Sequence, residues 1–285
     1  MKATDFALIR KLELTTRKQI SGPLLGGAQS NLKGSGFEFH QLRDYEQGDD
    51  IRFIDWKSSA RSNKMLVRQY LEDRNRMVYV AVDVSGSTEY GIGTVLKSDL
   101  MKQLAAIFAF VSLHRNDSVG LILFSEEVEK IIPPRSSRAH VFSLVETLYS
   151  YTPKQHTTRL DAPLEYLARL RGQKALVCLI SDFMNPFDGA LLSLIGRHHD
   201  VMAMRCLDER EIHFPSVGTL VMEDRETLQK RETHGHGGRI QQALTLWHRA
   251  QKEKLAQSKV DSLDLVAGKP FSGELVRFLR TRVYG

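Results

Sequence analysis

The run Asp83-Val84-Ser85-Gly86-Ser87 places one carboxylate and two hydroxyls at i, i+2 and i+4. Where a strand turns into a loop, that spacing can aim all three side chains at one point. Carboxylates and hydroxyls are hard oxygen donors. They suit Mg²⁺ or another divalent cation that takes a few protein oxygens and keeps several waters. Thr157 and Thr158 stand just ahead of a helix expected from residue 161, so a threonine hydroxyl can join from a second loop. Asp182 closes the apolar run 174–181 and meets the same point if that run lies beside the strand ending at Asp83.

Other chemistries fit these residues less well. A phosphatase-type use of Asp83 as nucleophile wants a second carboxylate two residues on, and that position holds Ser85. Ser85 is not in a G-x-S-x-G elbow. Gly91-Ile92-Gly93 has neither the dinucleotide fingerprint nor a P-loop lysine. His234-Gly235-His236-Gly237-Gly238 reads as a loop leading into a helix rather than a metal tract, and His198-His199 as a polar turn. Ser and Asp at a strand end also suit plain capping. No catalytic residue is assigned. The alternative from another class is a metal-dependent hydrolase using the same acidic cleft.

The elements that must position these side chains are legible from periodicity. Residues 77–85 are an apolar run ending in small polar residues, the pattern of a strand buried on both faces. Residues 174–181 and 201–208 repeat it. Helices are expected at 97–114, 138–150, 161–171, 188–197, 237–257 and 271–281. Hairpins are expected at 118–132 and 218–233, and a short last strand at 263–266. Strands alternating with helices give a mainly parallel sheet flanked by helices, with strands 77–84, 174–181 and 201–207 central and the first two adjacent.

Ahead of this region, residues 4–19 read as a short amphipathic helix and 21–36 as a Gly-, Ser- and Asn-rich loop. Residues 37–76 read as three strands, FEFHQLRDY, IRFIDW and MLVRQYLED, separated by turns. Their charges and aromatics are dense. Arg43, Asp49, Asp50, Arg52, Asp55, Trp56 and Arg61 are expected to act structurally. Arg43, Asp55 and Arg61 would form a buried network, and Trp56 would be largely buried.

The chain has 285 residues, with 40 Lys+Arg against 34 Asp+Glu, a net charge of +6 and a pI of about 9.3. Acidic residues are interspersed among the basic ones, which spoils a phosphate-tracking stripe and argues against nucleic acid as a partner. The longest apolar stretch, 104–113, is about half the length of a membrane span, and the first residues show no signal-peptide core. Cys178 and Cys206 lie in apolar runs and read as reduced core residues. The chain is therefore expected to be cytoplasmic and not membrane-spanning.

Asp83-Val84-Ser85-Gly86-Ser87, a threonine before a helix, and Ser181-Asp182-Phe183 after an apolar strand resemble the metal-ion-dependent adhesion site of von Willebrand factor type A domains. On that resemblance Asp83, Ser85, Ser87, Thr158 and Asp182 are the metal-site residues. The usual Gly-Gly-Thr of the second loop reads His156-Thr157-Thr158 here, which makes that loop bulkier. Upstream, G-x-G-F-E-F-x-x-L-R-x-Y-x-x-G-D-D-I-R-x-I-D-W-x-x-S-A-R at residues 34–61 resembles the bacterial family called domain of unknown function fifty-eight. That family joins such a segment to a type A domain. The resemblance implies a Rossmann-like fold and a non-enzymatic, metal-dependent protein-binding adaptor. It also implies a MoxR-type AAA+ ATPase as partner, acting on a client protein in maturation or remodelling. The expected organisation is 1–76 as the helix, loop and β-rich segment, 77–210 as the type A-like domain, and 211–285 as a hairpin and helices completing the fold.

Overall fold

Two aspartates decide the local structure of the first segment that the computed structural model describes. Described are residues 37–46, 49–62, 64–72, 76–89, 91–92, 95–170, 172–214, 219–223, 230–234 and 237–284, so the helix expected at 4–19 and the loop at 21–36 lie outside them. Strands β1 (Phe37–Asp44) and β2 (Leu66–Glu72) pair antiparallel. The IRFIDW stretch between them, expected as a strand, is not one. Asp50 accepts from the Arg52 amide at 3.0 Å and turns Ile51–Phe53 into a 3₁₀ turn. Asp55 accepts from the Lys57 and Ser58 amides, both at 3.1 Å, and starts helix α1 (Trp56–Ser62). Short acidic side chains compete with a strand ladder in this way. Only Ile54 keeps a bridge, to Val67, and these two are the buried apolar residues of this unit among the described ones.

The two other expectations for this segment also fail. Trp56 is 67% exposed, because the Asp55 cap sets α1 with Ser59 turned inward, where its Oγ accepts from the Leu66 amide at 2.9 Å. No buried Arg43–Asp55–Arg61 network forms. Arg43 grips Asp49 through two bonds of 2.6 and 2.8 Å, Arg52 pairs with Asp50 at 2.6 Å, and Asp55 pairs with Arg68 at 3.0 Å. Each aspartate is held by its cap or by a closer cation. Arg61 is exposed and has no ion pair among the described residues.

Residues 28–75 form one compact unit, and residues 76–285 belong to the other. In the latter, β3 (Met77–Asp83) is buried at every position but its first. A small antiparallel ladder of β4 (Gly91–Ile92) and β5 (Val95–Leu96) follows, then α2 (Lys97–His114). Next come the hairpin of β6 (Ser118–Phe124) and β7 (Val128–Arg135), α3 (Arg138–Ser150) and α4 (Asp161–Arg169). The chain continues through β8 (Ala175–Ser181), α5 (Gly189–His198), β9 (Asp200–Leu207) and the short α6 (Glu209–Ile212). The pair β10 (Thr219–Glu223) and β11 (Lys230–His234) is antiparallel. Last are α7 (Gly237–Gln257), β12 (Asp261–Val266) and α8 (Ser272–Tyr284).

Among the described residues the main sheet has six strands in the order β12-β9-β8-β3-β6-β7. All neighbours are parallel except β6 and β7. Alternation splits the core in two. Val78, Val80 and Val82 face one side with Cys178, Ile180, Met202 and Met204, packed against Leu104, Phe108 and Phe110 of α2 and Leu144 and Leu148 of α3. Tyr79 and Ala81 face the other with Val177, Leu179 and Ala203, packed against Leu164 of α4, Ile195 of α5 and Leu255 of α7. Both cysteines are buried and free. This is a three-layer α/β, Rossmann-like fold. From β3 the chain steps to β6 on one side, and later to β8 on the other. The order therefore reverses between β3 and β8, and the crevice where an open parallel sheet binds ligands lies at their carboxyl ends.

The β6–β7 pairing is close enough to exclude a side chain at Gly120. A Cβ there would sit 2.7 Å from the Ile132 carbonyl and 3.0 Å from the Pro134 nitrogen. Gly120→Ala is expected to destabilise the protein by roughly 1–3 kcal/mol, through forced displacement of the β7 backbone. Chemical denaturation of the variant beside wild type measures it.

Candidate functional site

Parallel pairing puts Val82 of β3 opposite Ile180 of β8. The next side chains, Asp83 and the Ser181-Asp182 pair, therefore emerge together at the sheet's carboxyl edge. Asp83 is 2% exposed, and Ser85, Ser181 and Asp182 are 1% exposed or less. Asp83 Oδ1 accepts from the Ser85 amide at 3.0 Å and from Ser85 Oγ at 2.6 Å. Its Oδ2 accepts from Ser181 Oγ at 2.7 Å. Such a web of bonds keeps a buried carboxyl in one orientation.

The three hydroxyls close a triangle. Ser85 Oγ lies 3.1 Å from Ser87 Oγ, Thr158 Oγ1 donates to Ser85 Oγ at 2.6 Å, and Ser87 Oγ lies 3.4 Å from Thr158 Oγ1. Thr158, and not Thr157, is brought to the cluster. Thr157 Oγ1 turns away and donates to Glu126 at 2.8 Å. First and second loops are joined through the backbone, Gly86 N–H to the His156 carbonyl at 2.8 Å.

The second loop is held from behind by Glu129. Its carboxylate accepts from Ser125 Oγ, from Tyr151 Oη at 2.9 Å, and from the Lys154 and Gln155 amides at 2.9 and 3.3 Å. Burial pushes this carboxyl up, and the hydrogen bonds outweigh that, holding it below the usual carboxylate range. The Tyr151 phenol is pushed up to about 12 by burial and by the same carboxylate.

Asp182 is brought to the edge of the cluster but is already engaged. Oδ1 accepts from the Met184 amide at 3.0 Å, and Oδ2 accepts from Lys97 Nζ at 2.7 Å. Lys97, the first residue of α2, also donates to Glu211 Oε1 at 2.7 Å and is 1% exposed. Burial pushes its ammonium down, but Asp182 and Glu211 more than reverse this and hold it above its ordinary range. Burial raises the Glu211 carboxyl against the pull of Lys97. Glu211 is itself tied into the capping box of α6, where its Oε2 accepts from the Asp208 amide at 2.9 Å.

Phe183, immediately after Asp182, sits at φ 55°, a left-handed conformation that a bulky side chain adopts only under constraint. Its amide donates to Ser181 Oγ at 3.2 Å, its carbonyl accepts from Trp247 Nε1 of α7 at 3.4 Å, and its buried ring packs edge-on against Phe187.

Sequence reasoning did not assign Lys97, Glu211, Ser181 or Glu129. Ser181 stands in the quoted Ser-Asp-Phe string, so its position was in view. Lys97 offered only the weak signal of a lone cation at the start of an apolar helix. Arg43, Asp49, Asp50, Arg52, Asp55, Trp56 and Arg61 belong to the other unit and are described there. Among the described residues no group of three or more His, Cys, Asp or Glu side chains is arranged to hold a metal ion. A cation at this cluster would rest on Asp83 and hydroxyls.

A family model described as protein of unknown function DUF58 matches residues 41–254. The uncharacterized protein Rv1480 of Mycobacterium tuberculosis is 30% identical over 229 residues, covering 79% of this chain and 72% of its own. The uncharacterized protein Mb1516 of Mycobacterium bovis matches equally. Among solved structures, a conserved hypothetical protein BatB from Bacteroides thetaiotaomicron superposes with a TM-score of 0.51 at 13% identity, covering 74% of this chain and 100% of its own. An aerotolerance-related membrane protein from Bacteroides fragilis gives 0.50 at 16%, covering 73% and 98%. At these identities the likeness is one of fold. Among the described residues no helix is long and apolar enough to cross a membrane.

Burial, with the Asp182 carboxylate adding to it, raises the Asp83 carboxyl to about 7, against the pull of its Ser85 and Ser181 hydrogen bonds. The folded protein then binds the Asp83 proton more tightly than the unfolded chain does. Stability without a cation falls as pH rises from the ordinary carboxylate range through about 7. Asp83→Asn is expected to remove that slope and to raise Tm in EDTA at pH 8 by on the order of a few degrees. Thermal melts of both proteins between pH 5 and 8 check the sign.

Proposed function

The chain belongs to the DUF58 family, and we propose that its sheet-edge cluster is a divalent-cation site of the von Willebrand factor type A kind, through which a protein-binding adaptor engages its partner. One observation carries this reading. Three hydroxyl oxygens lie 2.6, 3.1 and 3.4 Å apart. In an octahedral Mg²⁺ shell, with oxygens at about 2.0–2.1 Å from the ion, adjacent ligands stand about 3 Å apart. The triangle has the size of one face of that octahedron. The Asp83 carboxylate, 2.6 Å from Ser85 Oγ, supplies negative charge beside it. The donor set therefore fits Mg²⁺, with Asp83, Ser85, Ser87 and Thr158 as the holding residues. When bound, the ion would offer its remaining positions to water or to an acidic group of a partner.

The resemblance of residues 34–61 to the domain of unknown function fifty-eight family supports a MoxR-type AAA+ ATPase as that partner, in maturing or remodelling client proteins. Two buried free thiols fit a reducing, cytoplasmic setting. A hydrolase reading draws on the Asp83 carboxyl near 7, the range of a general base. Against it, the other carboxylate at this edge, Asp182, is paired with Lys97 and does not serve as an acid/base partner. We favour the adaptor.

Calorimetric titration with Mg²⁺ tests the site. Asp83→Ala removes a full charge and Ser85→Ala only a dipole. Asp83→Ala is therefore expected to weaken binding by at least about tenfold and Ser85→Ala by less. Capture of a MoxR-type AAA+ ATPase is expected in Mg²⁺, and to be lost in EDTA and with Asp83→Ala. Capture indifferent to both would overturn the metal-bridged adaptor.

A further inference from the structure

We propose that Lys97 is a positioning residue that holds Asp182 out of the cation's inner shell and leaves Asp83 as the charged protein ligand. The inference rests on reading the cluster as a divalent-cation site. Lys97 lies outside the donor set and bonds to Asp182 beside it.

Three observations converge. Asp182 has both oxygens committed, one to the Met184 amide at 3.0 Å and one to Lys97 Nζ at 2.7 Å. Lys97 is fixed from the far side by Glu211 at 2.7 Å, and Glu211 is fixed by the Asp208 amide at 2.9 Å. Lys97 and Asp182 are each about 1% exposed, so water offers little to replace either bond. Pulling Asp182 away would break a buried ion pair and leave Lys97 with Glu211 alone, which is unfavourable. Two adjacent strand ends thus present two carboxylates, but only Asp83 is at liberty to exchange its hydroxyl donors for an ion. A divalent cation held by one carboxylate and neutral hydroxyls keeps a net positive charge. That is the state that attracts an acidic group from outside.

A supporting prop and a restraint predict opposite effects on binding. If Lys97 only supports the loop, removing it loosens the site and weakens Mg²⁺. If it restrains Asp182, removing it frees a second carboxylate, and cation affinity grows with ligand charge. The test is Mg²⁺ calorimetry on the full chain with wild type, Lys97→Met and Lys97→Met/Asp182→Asn, with a thermal melt of each. Expected is a Kd on the order of tenfold tighter for Lys97→Met, despite a lower Tm in EDTA. The double variant is expected to return to about the wild-type Kd. Should Lys97→Met fail to fold, Lys97→Gln keeps an N–H donor without the charge and is expected to shift Kd the same way by less. Unchanged or weaker Mg²⁺ binding in a folded Lys97 variant would overturn the inference while leaving the cation site standing. Wild type that binds no Mg²⁺ would overturn both.

Discussion

Two carboxylates emerge side by side from adjacent parallel strands at a buried edge, and most of the polar structure of this domain answers that constraint. Asp83 and Asp182 repel each other where water cannot screen them. One is wrapped by serines, and its proton is held to about neutral pH. The other is matched to a buried lysine brought from the start of α2. That lysine in turn needs Glu211. The glutamate is set by the helix turn after β9, so the strand beyond β8 is drawn into the same electrostatic arrangement.

The second loop is governed differently. Glycines would let it approach the first loop freely, and His156-Thr157 in their place add bulk. Position is recovered by anchoring: Glu129 grips four donors from Ser125, Tyr151, Lys154 and Gln155, and the His156 carbonyl takes the Gly86 amide. A loop that cannot be small is instead held firmly, and Thr158 still reaches Ser85.

The sheet was legible in the residues because its central strands are apolar on both faces and its helices carry long apolar stripes. Helices at 138–150 and 237–257 agree with the structure to the residue. The Asp83 loop and Asp182 were legible because oxygen side chains at the end of an apolar strand have few other places to go. Residues 51–62 were misread, since alternation of aromatics and charges imitates a strand while Asp50 and Asp55 cap turns instead. Lys97 and Glu211 were invisible because they are 114 positions apart and meet only through the tertiary fold. Pairing of buried charges across such distances leaves no local pattern to read.

The chain contains two tryptophans, and the fold gives them opposite circumstances. Trp56 stands 67% exposed on its short helix, while the Trp247 indole is bonded to the carbonyl of strained Phe183, next to Asp182. Emission from the first is red-shifted and open to a soluble quencher. Emission from the second reports on the backbone of the loop after β8. Replacing Trp56 with phenylalanine leaves a single tryptophan, which can be excited apart from the tyrosines and is seated one residue from the site. Events at the sheet edge then have an optical signal without any label being attached.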